Sequence, residues 1–381
     1  MRTVVILVAF SLAAFGQRHK MEELDTEKPG GKLLQQILQE SDPGKKSALM
    51  EQFAAEFPKS ETSAWVLEQL QGSYVKAGDP DKIIATGQKL LAIDPDDPEA
   101  ALQCLKAAEA KKDVELIKKW SATTSANARK MTSRPKPAEA DQAESWKSEV
   151  DYAKQVDTYS EYALFSAALQ SRDPKTTIEL AEMLSQRNPK GEYTAKVQQP
   201  LFVAYRQSGA NDKAVALAER QLAADQSNED MLLVVTDSYL QNKKDPEKIH
   251  AYSAKIVELM AAKPKPEGSN DADWTAHKNQ VTGLAYYLNG KQYAAENKHA
   301  QVDQELRKAL PLVEASPALA SLKPEVLFLL GFSDYKLAAT TPEKAQEAAN
   351  SFRACAALKS PYQTQAAANL KKIQTEYRGI K

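Results

Sequence analysis

The side chains that most often carry chemistry are sparse in this chain and badly spaced for it. Four histidines, His19, His250, His277 and His299, are scattered over 381 residues. None has a second histidine four positions on with a Glu beside it, so two imidazoles never share a helix face as a zinc protease requires. There is no C-x-x-C pair and no G-x-S-x-G turn to lift a nucleophile. "DPGKKS" (42–47) ends like a phosphate loop, but the earlier glycine of that motif would fall on Gln39. Acidic residues are plentiful, yet they lie beside Lys and Arg on helical stretches, which is how a solvated face reads. Cys104 and Cys355 sit in "AALQCLKAA" and "FRACAAL" and read as small buried hydrophobes. In a linear stack of repeats they would lie too far apart for the ~7 Å Cα separation a disulfide tolerates. No catalytic, metal or cofactor-binding residues are expected, and an enzyme would need a site assembled from distant positions.

Charge excludes two partner classes. Lys and Arg number 50, Asp and Glu 51, so no net field favours nucleic acid or anionic lipid. No basic run with interleaved aromatics occurs either. The N-terminus reads as an address. "MRTVVILVAFSLAAFGQ" has one basic residue, an apolar run from Val4 to Phe15, and Ala14 and Gly16 where signal peptidase takes small side chains. The run is shorter than the ~18–20 apolar residues of a membrane span. A buried first helix is the other reading, and the charged "QRHKMEELDTEKPGG" that follows argues against it. The expectation is a signal peptide over 1–16, a disordered linker over 17–31, and an exported mature chain, periplasmic or secreted. No stable membrane anchor would remain after cleavage.

Ala, Leu, Gln, Glu and Lys dominate, all good helix formers, and only 14 residues are Gly. The chain exceeds the roughly 250–300 residues at which one compact core stops growing. Either two domains or a stack of repeats follows. "DPDKIIATGQKLLAIDP" (79–95) lies over "DPKTTIELAEMLSQRNP" (173–189). Asp79 and Asp173 suit a helix cap, Pro80 and Pro174 its first turn, and Pro95 and Pro189 a stop. A helix precedes each copy. Leu67, Leu70 and Tyr74 share one face; Leu201 and Tyr205 do the same, as do Leu232, Val235 and Tyr239. Tyr205 and Tyr239 are 34 residues apart.

A 34-residue unit of two antiparallel helices resembles the tetratricopeptide repeat (TPR) family. Residues 64–97 carry the pattern through Leu67, Leu70, Tyr74, Gly78, Asp79 and Asp94-Pro95, with Ile83 where the family prefers Ala. Residues 195–228 carry it through Leu201, Tyr205, Gly209, Ala214 and Asp225, with Gln226 in place of the closing Pro. Later copies use Gly283, Tyr286 and Gly290, then Leu330-Gly331, Phe352 and Cys355. The resemblance implies an all-α solenoid of antiparallel helix pairs, a TPR-like superhelix. Its expected parts are an N-terminal block (32–131), a Pro-containing loop with an extended helix (132–157), a central block (158–262), a Pro-containing linker (263–275), a C-terminal block (276–361) and a capping helix (362–381). "RPKPAEADQAESW" and "KPKPEGSNDADW" resemble each other, each a polar loop leading to a Trp that opens a long helix. Trp146 and Trp274 read as helix-packing core.

In the resembled family the first helix of each pair lines a concave side that binds a peptide or protein segment. Carried over by register, those positions are Trp65, Glu68, Lys76, Tyr159, Tyr162, Gln199, Arg206, Gln207, Tyr287, Phe328, Phe332, Tyr335 and Lys336. Aromatics and Arg are favoured in binding hot spots. The paired Lys and Asn that some members use to grip a C-terminal carboxylate are replaced here by Glu68 with Gly72, Tyr162 with Ser166, and Gln199 with Val203. The resemblance therefore implies a non-catalytic scaffold for a protein or extended peptide, with no cofactor. The alternative is a structural subunit of a cell-envelope or secretion assembly that uses its edges and caps.

Overall fold

The computed structural model describes residues 18–21, 26–27, 29–377 and 379–380. The expected signal peptide lies outside the described residues. Eighteen α-helices and one 3-10 turn follow one another without a strand among the described residues. They divide into two compact units that meet in sequence at Gly209 and Ala210, inside the stretch read as the central block.

The N-terminal unit holds α1 (Pro29–Gln39), α2 (Pro43–Glu56), α3 (Ser63–Ala77), α4 (Pro80–Ile93), α5 (Pro98–Lys111), α6 (Val114–Thr132), α7 (Ala140–Gln170), α8 (Pro174–Arg187), the single turn α9 (Glu192–Lys196) and α10 (Gln198–Gln207). The C-terminal unit holds α11 (Asn211–Leu222), α12 (Glu229–Gln241), α13 (Pro246–Ala262), α14 (Asp271–Ala295), α15 (His299–Ala315), α16 (Lys323–Leu337), α17 (Lys344–Ala356) and α18 (Gln363–Glu376), with the 3-10 turn Pro317–Leu322 before α16.

Asp-Pro steps start the helices as expected. The Asp79 carboxylate accepts the Lys82 N–H, and Asp173 accepts those of Lys175 and Thr176, while the following proline costs no hydrogen bond in the first turn. The tempting "DPGKKS" is another such start, with Asp42 capping α2 through the Lys45 N–H. Gly78 ends α3 in the left-handed region at φ 69°, which a Cβ would strain.

Within each unit a helix packs mainly on the helices before and after it, and the short connections make those neighbours antiparallel. In the N-terminal unit α3, α5 and α7 also touch one another in turn; in the C-terminal unit α12, α14, α16 and α18 do so. No comparable packing joins α4 to α6, or α13 to α15. Within each unit the first set therefore forms an inner layer and the second an outer one, as in a stack of helix pairs. Leu67, Leu70, Tyr74, Leu201, Tyr205, Leu232, Val235 and Tyr239 are all buried, so the spacing read from the sequence marks the core side of each inner helix. Cys104 and Cys355 are buried free thiols.

α7 and α14 are the long helices, of 31 and 25 residues, that the two Trp residues were expected to open. Neither Trp reaches the core. Both are half-buried: Trp146 donates its indole N–H to the Arg134 carbonyl (3.2 Å) in the loop before it, and Trp274 stacks on His277 one turn along. Each lies in the first two turns of its long helix and packs on chain close by in sequence. Ala366 and Ile373 of α18 are buried against the end of the C-terminal unit, with Leu370 and Tyr377 beside them.

Candidate binding faces

In the N-terminal unit the inner helix α7 presents a row of rings. Tyr159 and Tyr162 stand 5.9 Å apart, Tyr162 meets Tyr193 edge-on at 5.7 Å, and Tyr193 meets Phe165 at 5.4 Å. Residues three apart on a helix share a face, which aligns the three rings of α7; Tyr193 joins them from α9. The Tyr159 hydroxyl donates to Glu109 of α5 (2.7 Å), and burial beside that carboxylate pushes its phenol well above the usual range. Lys106 lies over Tyr159 and Lys196 over Tyr193. Tyr162 is left 38% exposed at the centre of the row.

In the C-terminal unit the corresponding rings lie on α16. Phe328 is pinned by Phe352 (5.8 Å) and Tyr362 (5.1 Å), and the Tyr335 hydroxyl donates to Glu376 of α18 (2.8 Å). Phe332 meets His299 edge-on at 5.8 Å, carries the Lys336 ammonium over its ring at 5.3 Å, and stays 37% exposed. It lines a hollow of about 400 Å³ with Ala294, His299, Phe328, Leu329, Ser333, Gln365 and Asn369. Burial and the nearby Lys336 hold the His299 imidazole below its ordinary pKa, so it is neutral there. The residues lining the hollow thus carry no charge, and two of them, Gln365 and Asn369, are amides.

The remaining expected positions are dispersed. Trp65 is half-buried on α3, and Lys76, Gln199, Arg206, Gln207 and Lys336 are exposed. Tyr287 is a correction. It was expected on the open face, but it is 5% exposed within the core of the C-terminal unit. Its hydroxyl donates to Glu325 of α16 (2.7 Å), because α16 packs directly over that turn of the long α14. Glu68 is occupied from within the chain: its carboxylate accepts the His19 backbone N–H (3.4 Å). Arg18 and His19, read as part of a disordered linker, are therefore placed against α3 and the α4–α5 turn, and α1 begins at Pro29. Polar composition suggested disorder; the carboxylates that hold the segment lie far along the chain.

Tyr193, His299, Leu329, Gln365 and Asn369 were not anticipated. Tyr193 sits on a single turn outside the repeat pattern, Leu329 lies beside the expected Phe328 on α16, and His299, Gln365 and Asn369 come from α15 and α18, for which no face positions were expected. Two clusters bring three metal-type ligand atoms within 4.8 Å of one another: His19, Asp94 and Asp97, and Asp303, Asp334 and Glu347. Cationic side chains already serve both, Arg18 on Asp94 in the first, Arg307 and Lys344 in the second.

No protein-family model matches the chain, and no curated protein matches it by sequence. Solved structures do show similarity. The TPR domain of P58(IPK) is similar at 12% identity and a TM-score of 0.28, over 91% of this chain and 98% of that one. Yeast Tom70 is similar at 13% identity and a TM-score of 0.24, over 93% and 78%. A human IFIT1 dimer with m7Gppp-AAAA is similar at 11% identity and a TM-score of 0.21, over 91% and 76%. The stacked-pair architecture itself rests on the helix packing within each unit.

Proposed function

We propose that the chain is an exported, non-catalytic scaffold that binds a protein or extended peptide on its inner helix layers. The observation that carries this is Phe332, more than a third exposed on an inner helix beside an uncharged hollow. Exposed aromatics on a rigid element make good anchors, since a ring gains contact area at little cost in side-chain entropy. Tyr162 plays the same part in the N-terminal unit, with its neighbours already fixed by ring contacts and by Glu109. Affinity would come from apolar contact, because a net charge of -1 offers little long-range steering. Export rests on the N-terminal sequence alone.

The test places a photo-crosslinking amino acid at Tyr162, at Phe332, or at Gln346 on the outer helix α17, in cells of the source organism. A common species captured from the two inner positions and missing from Gln346 supports the reading. Equal capture from all three would sink it. Fractionation of the same cells decides export separately: retention of the full-length chain in the cytoplasm would remove that part.

A further inference from the structure

Asp97 is 2% exposed. One of its oxygens caps α5, accepting the N–H groups of Glu99 (2.8 Å) and Ala100 (3.0 Å). Its backbone is fixed as well, the carbonyl accepting from the Asn127 side chain (3.0 Å). The second oxygen faces His19 Nε2 at 3.2 Å. A buried carboxylate that loses its partner is strongly penalised, so this oxygen calls for a cation or a strong donor. Next to it Arg18 grips Asp94 with two nitrogens, at 2.5 and 3.1 Å, in the fork geometry that suits a carboxylate. Glu68 completes the set by accepting the His19 backbone N–H. Together, two carboxylates read adjacent basic side chains and a third reads the backbone between them. That is recognition of an adjacent Arg-His pair, and Arg18 on Asp94 makes a metal the poorer fit.

We propose that Glu68, Asp94 and Asp97 form a receptor pocket for a segment bearing Arg followed by His, which Arg18 and His19 fill from within the same chain. The occupied pocket is self-blocked. A partner segment of the same chemistry competes with a tethered ligand whose effective concentration is about 1 mM, so an intrinsic Kd near ~100 µM would be weakened about tenfold. This site lies apart from the aromatic rows and stands or falls without them.

The probe is a labelled, end-capped Arg-His-Lys-Met peptide, read by fluorescence anisotropy against the full chain. In the R18A/H19A variant, which empties the pocket, the peptide binds at least about tenfold more tightly than to wild type. Adding E68Q and D94N to that variant abolishes binding; both keep side-chain shape, and Asp97 is spared because it caps α5. An Ala-His-Lys-Met peptide does not bind. R18E/H19A, checked for native helicity alongside R18A/H19A, provides a second emptied pocket. Equal binding to wild type and emptied chains, binding that survives E68Q/D94N, or no binding to either folded emptied chain would each overturn the proposal.

Discussion

The Tyr205 hydroxyl donates to a Glu182 carboxylate oxygen 2.8 Å away, and Tyr74 makes the same bond to Glu51; each pair is separated by 23 residues. Tyr239 repeats the arrangement with Glu219. In each case the ring is in the core, and the carboxylate comes from an earlier helix. Lysines close two of these contacts: Lys82 lies over Tyr74 and pairs with Glu51, and Lys244 lies over Tyr239 and pairs with Glu219. The tyrosine that marks the repeat in sequence is thus a latch onto an earlier helix.

Tyr205→Phe keeps the ring and removes the donor. A hydrogen bond to a charged group contributes about 1.5–3 kcal/mol, and partial solvent access lowers that, so the expected loss is about 1–2 kcal/mol. Urea unfolding would show a lower midpoint at unchanged slope. An unchanged midpoint would mean the hydroxyl bond is ornamental.

Gly290 and Gly72 both lie inside helices and should respond to Ala in opposite directions. A Cβ at Gly290 would stand 2.4 Å from Leu306 Cδ2 and 2.7 Å from its Cγ, and Leu306 is fully buried. Overpacking of this kind costs about 1–3 kcal/mol, more than the gain in helix propensity. At Gly72 nothing lies within 4 Å, so Ala there should stabilise by about 0.5–1 kcal/mol. Thermal melts of the two variants moving in the same direction would contradict the close approach of α14 and α15.

Phe328 and Phe332 are one turn apart on α16 but do different work. Phe328→Ala removes a ring packed on Phe352 and Tyr362 and should cost about 2–4 kcal/mol, below the full core value because it is only half-buried. Phe332→Ala should cost about 1 kcal/mol or less, as an exposed substitution does. Denaturant midpoints of the two variants compare them directly, and a larger loss at Phe332 would show that its ring supports the fold.

Asp334 is fully buried. Arg307 reaches one of its oxygens at 2.8 Å and Lys344 the other at 3.2 Å, but Asp303 and Glu347 draw on the same two cations. Three carboxylates share two positive charges, and burial pushes the Asp334 pKa up to about 6. A raised acid holds its proton in the native state while the unfolded chain has lost it. This group's contribution to stability is therefore full below about pH 4 and falls as pH rises toward 6. Asp334→Asn mimics the protonated form. It should match or exceed wild-type stability at pH 7.5, by up to about 2 kcal/mol, and lose that advantage at pH 4.5. Chemical denaturation at both pH values decides it, and a variant markedly weaker at pH 7.5 would show that the charged carboxylate is favourable.

What the sequence made legible was local. Asp79 and Asp173 cap their helices because cap, proline and first turn are neighbours in the chain. Tyr74, Tyr205 and Tyr239 were recognisable from their spacing along the chain, and all three lie in the core. What was hidden depended on contacts across helices. Tyr287 has the pattern of a face residue, but α16 covers it, and nothing near position 287 reports that. Glu109 holds Tyr159 from 50 residues away, and Asp94 and Asp97 hold Arg18 and His19 from 76 and 78. A polar stretch and its distant acids read separately as linker and surface. Tyr193 escaped because a five-residue turn has no period to find.

Because each helix packs chiefly on its immediate neighbours, the chain meets most of its partners soon after making them. Contacts of short sequence separation require only small loops to close, and proteins built that way fold in milliseconds or faster. Each unit can therefore be assembled pair by pair from a growing end, with every completed pair serving as the template for the next.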